Sequence, residues 1–267
     1  MTSRIRRRAA SALLLGLGLI FVTGQSEGAP EYWKAVLPEN VFAELVNRDA
    51  QVIRETLAKG TPDKKMAVRL RCSAAMIASY AQTQMLKGGS NAQQLAGLRD
   101  LALKVNAAVK DGKFDDAKKL TGELSPTAKG EANAKTTPVD LQKETELDII
   151  MNQFKAERSA GLDIEKKFLA LVKHRGKLSP EQYKEIVPMT YQMNIIGQYA
   201  EALAPERDEG PKKRADWVRW AQEMQRLTLE AAKAASAAKP DDKAVKDLLN
   251  KIDANCTSCH KVFRIDQ

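Results

Sequence analysis

The sequence has few of the residues on which turn-rich and β-rich folds depend. Aromatic residues make up only 5% of its 267 residues, and it contains 15 glycines and 10 prolines. Alanine, lysine, leucine and glutamate, which favour helices, are abundant instead. This composition argues against a β-sandwich or barrel and predicts an all-α fold. The length is sufficient for one large or two small domains.

Cysteine and histidine are also scarce, with three and two copies. Cys256, Cys259 and His260 lie together, whereas Cys72 and His174 are far away in the sequence. A structural zinc site normally needs four protein ligands, so this distribution disfavours one. We expect Cys72 to be a small buried residue of a helix and His174 to lie at the surface. No acid–base pair or catalytic nucleophile stands out, so we expect no enzymatic activity.

A strong excess of one charge is missing as well. The 43 basic and 34 acidic residues give a formal net charge of +9 and are mixed along the chain. Loss of the four arginines between positions 4 and 8 lowers the charge to +5, or to +6 if Glu27 is lost too. No basic stripe is present, so we predict a mixed-charge helical surface and no nucleic-acid partner.

The N-terminus has the pattern of a secretory signal. The four arginines precede an apolar run over residues 9–22, and small residues follow at Gly24 and Ala29. The run is shorter than the roughly 20 residues that span a bilayer. We predict a signal peptide over residues 1–29, a periplasmic protein, and no membrane span after cleavage near Gly24 or after Ala29. An uncleaved membrane anchor is the alternative.

A Cys-x-x-Cys-His motif stands at residues 256–260, and this is the attachment signature of a c-type haem. Two cysteines at this spacing can bond to the two vinyl groups of one porphyrin, and the histidine can reach its iron. We therefore predict one covalent haem c on Cys256 and Cys259, with His260 as a metal ligand. Bacteria attach haem covalently outside the cytoplasmic membrane, which agrees with the predicted export.

Two other interpretations of the paired cysteines compete with haem. A plain disulfide is compatible with an exported protein. A redox-active pair would be expected at the start of a helix, where the dipole lowers a thiol pKa. The pair instead stands late in the last predicted helix, which Asp241 caps. There Val245, Leu249, Ile252, both cysteines and His260 share one face, so we expect the haem to face a helical core.

The chain divides into two predicted helical bundles. We expect a bundle without a haem motif over residues 30–125, a linker over residues 126–138 and a haem-binding four-helix bundle over residues 139–267. The linker has no apolar periodicity. The two bundles are predicted as a tandem repeat, since Phe42–Val46 resembles Phe168–Val172.

Capping residues predict several helix starts. Thr61 with Pro62 is expected to begin the second helix, and Ser90 to cap the third. A further helical stretch is expected from Pro138 to Gly161, with an apolar face that includes Met151. Ser179-Pro180-Glu181-Gln182 fits a capping box and predicts a long helix that bends at Pro188.

The segment Cys-x-x-Cys-His-x-x-Phe-Arg at residues 256–264 resembles the end of cytochrome c′ and its low-spin relatives. The resemblance covers about residues 140–267. It implies an antiparallel four-helix bundle, thioether bonds at both cysteines, His260 as the proximal iron ligand and Arg264 near the proximal side. That family does not carry the first half of this chain. Redox partner proteins are expected, and a homodimer is one assembly to consider.

The sixth iron position decides between the functions that we consider. Met151, on an apolar face, is a candidate distal ligand, and a closed iron is typical of single-electron transfer. If the bundle begins after Gly161, Ile164 or Phe168 would crowd the distal side and leave the iron five-coordinate. The protein would then resemble one that binds nitric oxide or carbon monoxide. A helical haem subunit of a larger redox complex is the third hypothesis.

Overall fold

Ten α-helices make up most of the part of the chain that the structure describes. This computed structural model describes residues 33–34, 36–127, 134–156 and 161–263. The helices are α1 (Glu39–Ala58), α2 (Lys64–Met85), α3 (Ala92–Lys110), α4 (Phe114–Thr121), α5 (Leu141–Glu144), α6 (Leu147–Met151), α7 (Ile164–Val172), α8 (Pro180–Ala202), α9 (Arg214–Ala235) and α10 (Asp242–Phe263). These ranges contain no β-strand, which confirms the all-α prediction. None of the helices is long and apolar enough to cross a membrane.

Consecutive helices pack against each other in two sets of four. In the first set, α1 packs on α2, α2 on α3 and α3 on α4, and α4 returns to α1. In the second set, α7 packs on α8, α8 on α9 and α9 on α10, and α10 returns to α7. The most extensive contact is between the second and third helix of each set. The predicted signal peptide and Arg264 lie outside the described residues.

Two clusters of buried apolar side chains form the core. The first cluster comes mainly from α1, α2 and α3, and the second from α7 to α10. α8 contributes to both, because Met189 and Met193 join the second cluster whereas Ile195 and Tyr199 join the first. Every residue from 189 to 199 is buried. A helix buried on all sides lies between two layers of structure rather than at a surface.

Two predicted helix starts are confirmed. The Ser179 hydroxyl accepts a hydrogen bond from Gln182 N–H at 3.2 Å, and Gln182 Oε1 accepts from Ser179 N–H at 2.8 Å. This capping box begins α8, which continues through Pro188 to Ala202. Asp241 Oδ1 accepts from Lys243 N–H at 3.0 Å and caps α10.

Two other predicted starts are wrong by one or two residues. α2 begins at Lys64 rather than after Thr61, and Asp63 Oδ1 accepts from Met66 N–H at 2.8 Å. A carboxylate is an effective cap because it also interacts favourably with the positive end of the helix dipole. α3 follows Asn91 rather than Ser90, without a side-chain cap bond.

The predicted continuous helical stretch from residue 138 to 161 is also wrong. Two short helices, α5 and α6, and a 3₁₀ turn over Asn152–Phe154 replace it. Thr145 separates α5 from α6 with an extended backbone (φ −148°, ψ 132°). Its hydroxyl accepts from Asn106 Nδ2 at 2.9 Å and its carbonyl accepts from the Tyr199 hydroxyl at 2.7 Å. These tertiary hydrogen bonds stabilise the extended residue against helix formation.

An ion pair with a buried carboxylate connects α1, α2 and α8. Asp49 is fully buried and accepts hydrogen bonds from Arg48 Nη2 at 3.1 Å and from the Ser73 hydroxyl at 3.2 Å. Arg48 Nη1 also donates to Gln192 Oε1 on α8 at 2.9 Å. Burial raises the pKa of the Asp49 carboxyl, while the Arg48 guanidinium opposes that rise. The pair therefore connects the first set of helices to α8 of the second set. The charge of the Asp49 carboxylate depends on the hydrogen bonds and the positive charge that Arg48 and Ser73 supply.

Replacing Asp49 with alanine should destabilise the protein strongly. The change leaves the buried Ser73 hydroxyl without its acceptor and removes one acceptor of the Arg48 guanidinium, which keeps Gln192 as a partner. We expect a loss of about 2 kcal/mol in the free energy of unfolding. Urea unfolding followed by circular dichroism measures the loss. Asp111→Ala is the control, because that carboxylate is exposed and pairs with Lys113. Equal unfolding free energies for the two variants would contradict the assigned role of Asp49.

Candidate haem-attachment site

The three residues of the motif lie on the last turns of α10. Val245, Leu249 and Ile252 are fully buried on its inner face. From the next turn onward, the side chains on the same face are less buried. Cys256 and Cys259 are half-buried, and His260 is exposed. The apolar stripe predicted for this helix is thus confirmed as far as Ile252.

The exposure of His260 follows from the length and direction of α7. The Lys246 ammonium, near the start of α10, donates a hydrogen bond to the Gly176 carbonyl beyond the end of α7. At the other end, Cys256 packs against the apolar cluster that contains Ile164, the first residue of α7. The two helices are therefore antiparallel, and α7 begins beside Cys256. His260 lies one turn further along α10, past the start of α7.

The two thiols of the motif are not bonded to each other. Burial, with smaller contributions from Cys259 and Asp253, raises the pKa of the Cys256 thiol to about 12. Burial also raises the pKa of the Cys259 thiol to about 11. Both thiols are therefore protonated at neutral pH. A redox-active pair needs a lowered thiol pKa, so this environment argues against that interpretation of the motif.

An aromatic cluster lies on the α9 side of the motif. The ring of Phe263 meets Trp217 edge to face, with centroids 4.9 Å apart, and meets Trp220 in the same way at 5.8 Å. Asn255 Nδ2 donates to the Trp220 carbonyl at 3.0 Å. Edge-to-face pairs add about 0.5–1.5 kcal/mol beyond the area they bury. The cluster therefore ties the last turn of α10 to the beginning of α9.

Cys259 is part of the same ridge of α10. It lies four residues after Asn255 and four before Phe263, and residues at this spacing are neighbours on one helix face. Both of those residues contact Trp220, so Cys259 faces the same part of α9. An open groove of about 1030 Å³ adjoins this region and is lined by Trp220 and Asn255. The sequence motif contains Cys259 and Phe263 but carries no signal for Trp220, which the antiparallel packing of α9 on α10 brings to them.

The residues that we considered for the distal side of the iron lie in different apolar cores. Met151 is half-buried at the end of α6 and packs against the first core. Ile164 and Phe168 are each 4% exposed and belong to the second core, against which Cys256 also packs. The structure therefore brings α7 to the motif and does not place Met151 in the same apolar cluster.

The remaining cysteine and histidine lie away from the motif. Cys72 is buried on α2, as predicted, and its Sγ lies 3.5 Å from the Ile150 carbonyl oxygen. Burial, followed by the nearby Asp49 carboxylate, raises the pKa of its thiol. His174 Nε2 lies 3.1 Å from the Lys177 carbonyl oxygen, in the connection after α7. Within the described ranges, no group of three or more His, Cys, Asp or Glu side chains could hold a metal ion.

Comparisons with known proteins identify no relative of this chain. No protein-family model, curated protein or solved structure matches it. The functional interpretation therefore depends on the motif and on the helices that surround it.

Replacing Phe263 with alanine should loosen the end of α10. The change removes both edge-to-face contacts, and we expect a loss of about 2 kcal/mol, below the 3–5 kcal/mol typical of a fully buried phenylalanine. Near-ultraviolet circular dichroism of the tryptophan bands should weaken. Phe114→Ala is the matched control, because Phe114 is half-buried at the start of α4 and packs against the first core. Unchanged tryptophan bands in Phe263→Ala would contradict the packing of the aromatic cluster.

Proposed function

We propose that this protein is an exported c-type cytochrome that transfers single electrons through one haem c. Cys256 and Cys259 would hold the haem by thioether bonds, and His260 would bind its iron. The observation that supports this best is the donor set on α10, where two half-buried thiols and an adjacent histidine follow a fully buried apolar stripe. The iron of a haem supplies a one-electron couple whose potential depends on its ligands and on burial.

The surrounding side chains suit a large apolar group at this position. Ile164 and Phe168 on α7 supply an apolar surface on one side of α10. Trp217, Trp220 and Phe263 supply another on the α9 side. Both surfaces would exclude water near the attached group, and a low local dielectric favours the less charged redox state. The second set of helices, α7 to α10, would then be the haem-binding four-helix bundle of a tandem pair.

The proposal also includes export of the protein and electron exchange with partner proteins. The predicted signal peptide would deliver the chain to the periplasm, where covalent haem attachment takes place. Electron exchange would occur with redox partner proteins, and the helices without a haem motif would serve the haem domain or a larger redox complex.

Replacing both Cys256 and Cys259 with alanine should abolish covalent haem. The protein would be produced in a host that exports it and attaches haem, then denatured, separated by electrophoresis and stained for haem peroxidase activity. Cys72→Ala is the matched control and should stain as strongly as the wild type, because Cys72 lies outside the motif on α2. Staining that persists in the double variant would refute the proposed attachment.

A gas-binding haem protein is the second candidate, and the position of α7 favours it. Ile164 and Phe168 have no atoms that bind iron, and they pack in the same core as Cys256, whereas Met151 packs in the other. An iron without a ligand on that side could bind nitric oxide or carbon monoxide.

Carbon monoxide separates the two candidates. If α7 alone lines the distal side, the absorption spectrum of the reduced protein should change on addition of carbon monoxide. Met151→Leu should leave that change unaltered. If carbon monoxide leaves the absorption spectrum of the reduced protein unchanged, the gas-binding candidate is refuted. If Met151→Leu then restored the response, Met151 would be the sixth ligand and electron transfer would be favoured.

A further inference from the structure

Two buried glutamines occupy the same position on the two central helices. Gln82 lies 19 residues after Asp63, the N-cap of α2, and Gln198 lies 19 residues after Ser179, the N-cap of α8. Both side chains are fully buried. A buried primary amide needs hydrogen-bond partners for its N–H and its carbonyl groups. The partners of each glutamine therefore show which segment of the chain it holds in place.

Each glutamine pairs with the backbone of one residue. Gln82 Nε2 donates to the Val139 carbonyl at 2.9 Å, and Val139 N–H donates to Gln82 Oε1 at 2.8 Å. Lys34 N–H donates to Gln198 Oε1 at 2.7 Å, and Gln198 Nε2 donates to the Lys34 carbonyl at 3.5 Å. In both cases the side-chain amide satisfies both backbone groups of one residue outside any helix.

The two pairs are exchanged between the halves of the chain. Lys34 lies in the segment that leads into α1, yet it is held by Gln198 of the second set of helices. Val139 lies in the segment that leads into α5, yet it is held by Gln82 of the first set. Each half thus holds the entry segment of the other. Reciprocal contacts of this kind define an isologous interface, in which two similar bodies are related by an approximate two-fold axis.

Other contacts also join the central helix of each half to a segment of the opposite half. α1 packs on α8, and α6 with its 3₁₀ turn packs on α2. Arg48 of α1 donates to Gln192 of α8 at 2.9 Å. On the other side, Cys72 Sγ of α2 lies 3.5 Å from the carbonyl oxygen of Ile150 on α6. The first helix of the first half and the segment before α7 therefore each pack against the central helix of the opposite half.

We propose that the two halves form an internal dimer. Its interface is the surface on which α2 binds the entry segment of the second half and α8 binds the entry segment of the first half. This self-complementary interface closes within one chain. The partner of the haem-motif half is the half that lacks the motif. Separation would expose a fully buried Gln198 and the apolar side chains of Ile195 and Tyr199, which lie in the first core. A surface already covered in this way is not available to a second copy of the chain.

Cleavage of the intact chain between its halves tests the internal dimer. A sequence for a specific protease is inserted between Thr127 and Ala134, and the purified protein is cut and analysed by size-exclusion chromatography with light scattering. We expect the two fragments to elute together at one-to-one stoichiometry. Fragments that separate under native conditions would overturn the proposal.

The two glutamines provide a second test on the cut protein. Gln82→Ala and Gln198→Ala should each weaken association of the fragments by roughly tenfold, as expected for the loss of a buried hydrogen-bonded pair. Gln51→Ala is the control, because Gln51 is exposed and bonds to Glu55 within α1. An effect at one glutamine only would contradict the two-fold relation. If a variant fails to fold, the elution of the cut wild-type fragments still decides the outcome.

Discussion

Burial of the central helices α2 and α8 on every side is the constraint on which the rest of this structure depends. All residues from 72 to 85 and from 189 to 199 are buried. Because both stretches contain polar side chains, each amide and hydroxyl there requires a partner inside the protein. Gln82 and Gln198 find theirs in the backbone of the entry segments, and Gln192 finds one in Arg48. The apolar side chains position the helices, and the polar ones determine which segments cover them.

The candidate haem site lies where this close packing ends. The inner face of α10 is buried as far as Ile252, and it then becomes more exposed near the first turn of α7 and the aromatic cluster of Trp217, Trp220 and Phe263. Burial raises the pKa of both thiols of the motif, which disfavours thiol–disulfide exchange there. The second half would thus supply the chemistry, while the first half covers α8 and completes its core.

Local signals in the sequence predicted much of the fold, and non-local contacts explain where they failed. The capping box at Ser179 and the Asp241 cap need only residues three or four positions apart, so both were predictable. Thr145 is extended because Asn106 and Tyr199 bond to it from distant helices, and no local pattern records such partners. Met151 shares an apolar face with its neighbours in the sequence. Packing, however, placed it in the first core, away from the residues that adjoin Cys256.

By itself the sequence determined the helical class, the order of most helices and the motif at residues 256–260, because composition, capping and spacing are properties of neighbouring residues. Tertiary structure alone decided which helix faces the motif, how Trp220 comes to contact Asn255 and Phe263 on either side of Cys259, and how each half holds the entry segment of the other. The physical reason is that these features depend on contacts between residues 35 or more positions apart in the chain. Gln82 and Val139, or Lys34 and Gln198, have no relation in the sequence until the helices between them have packed.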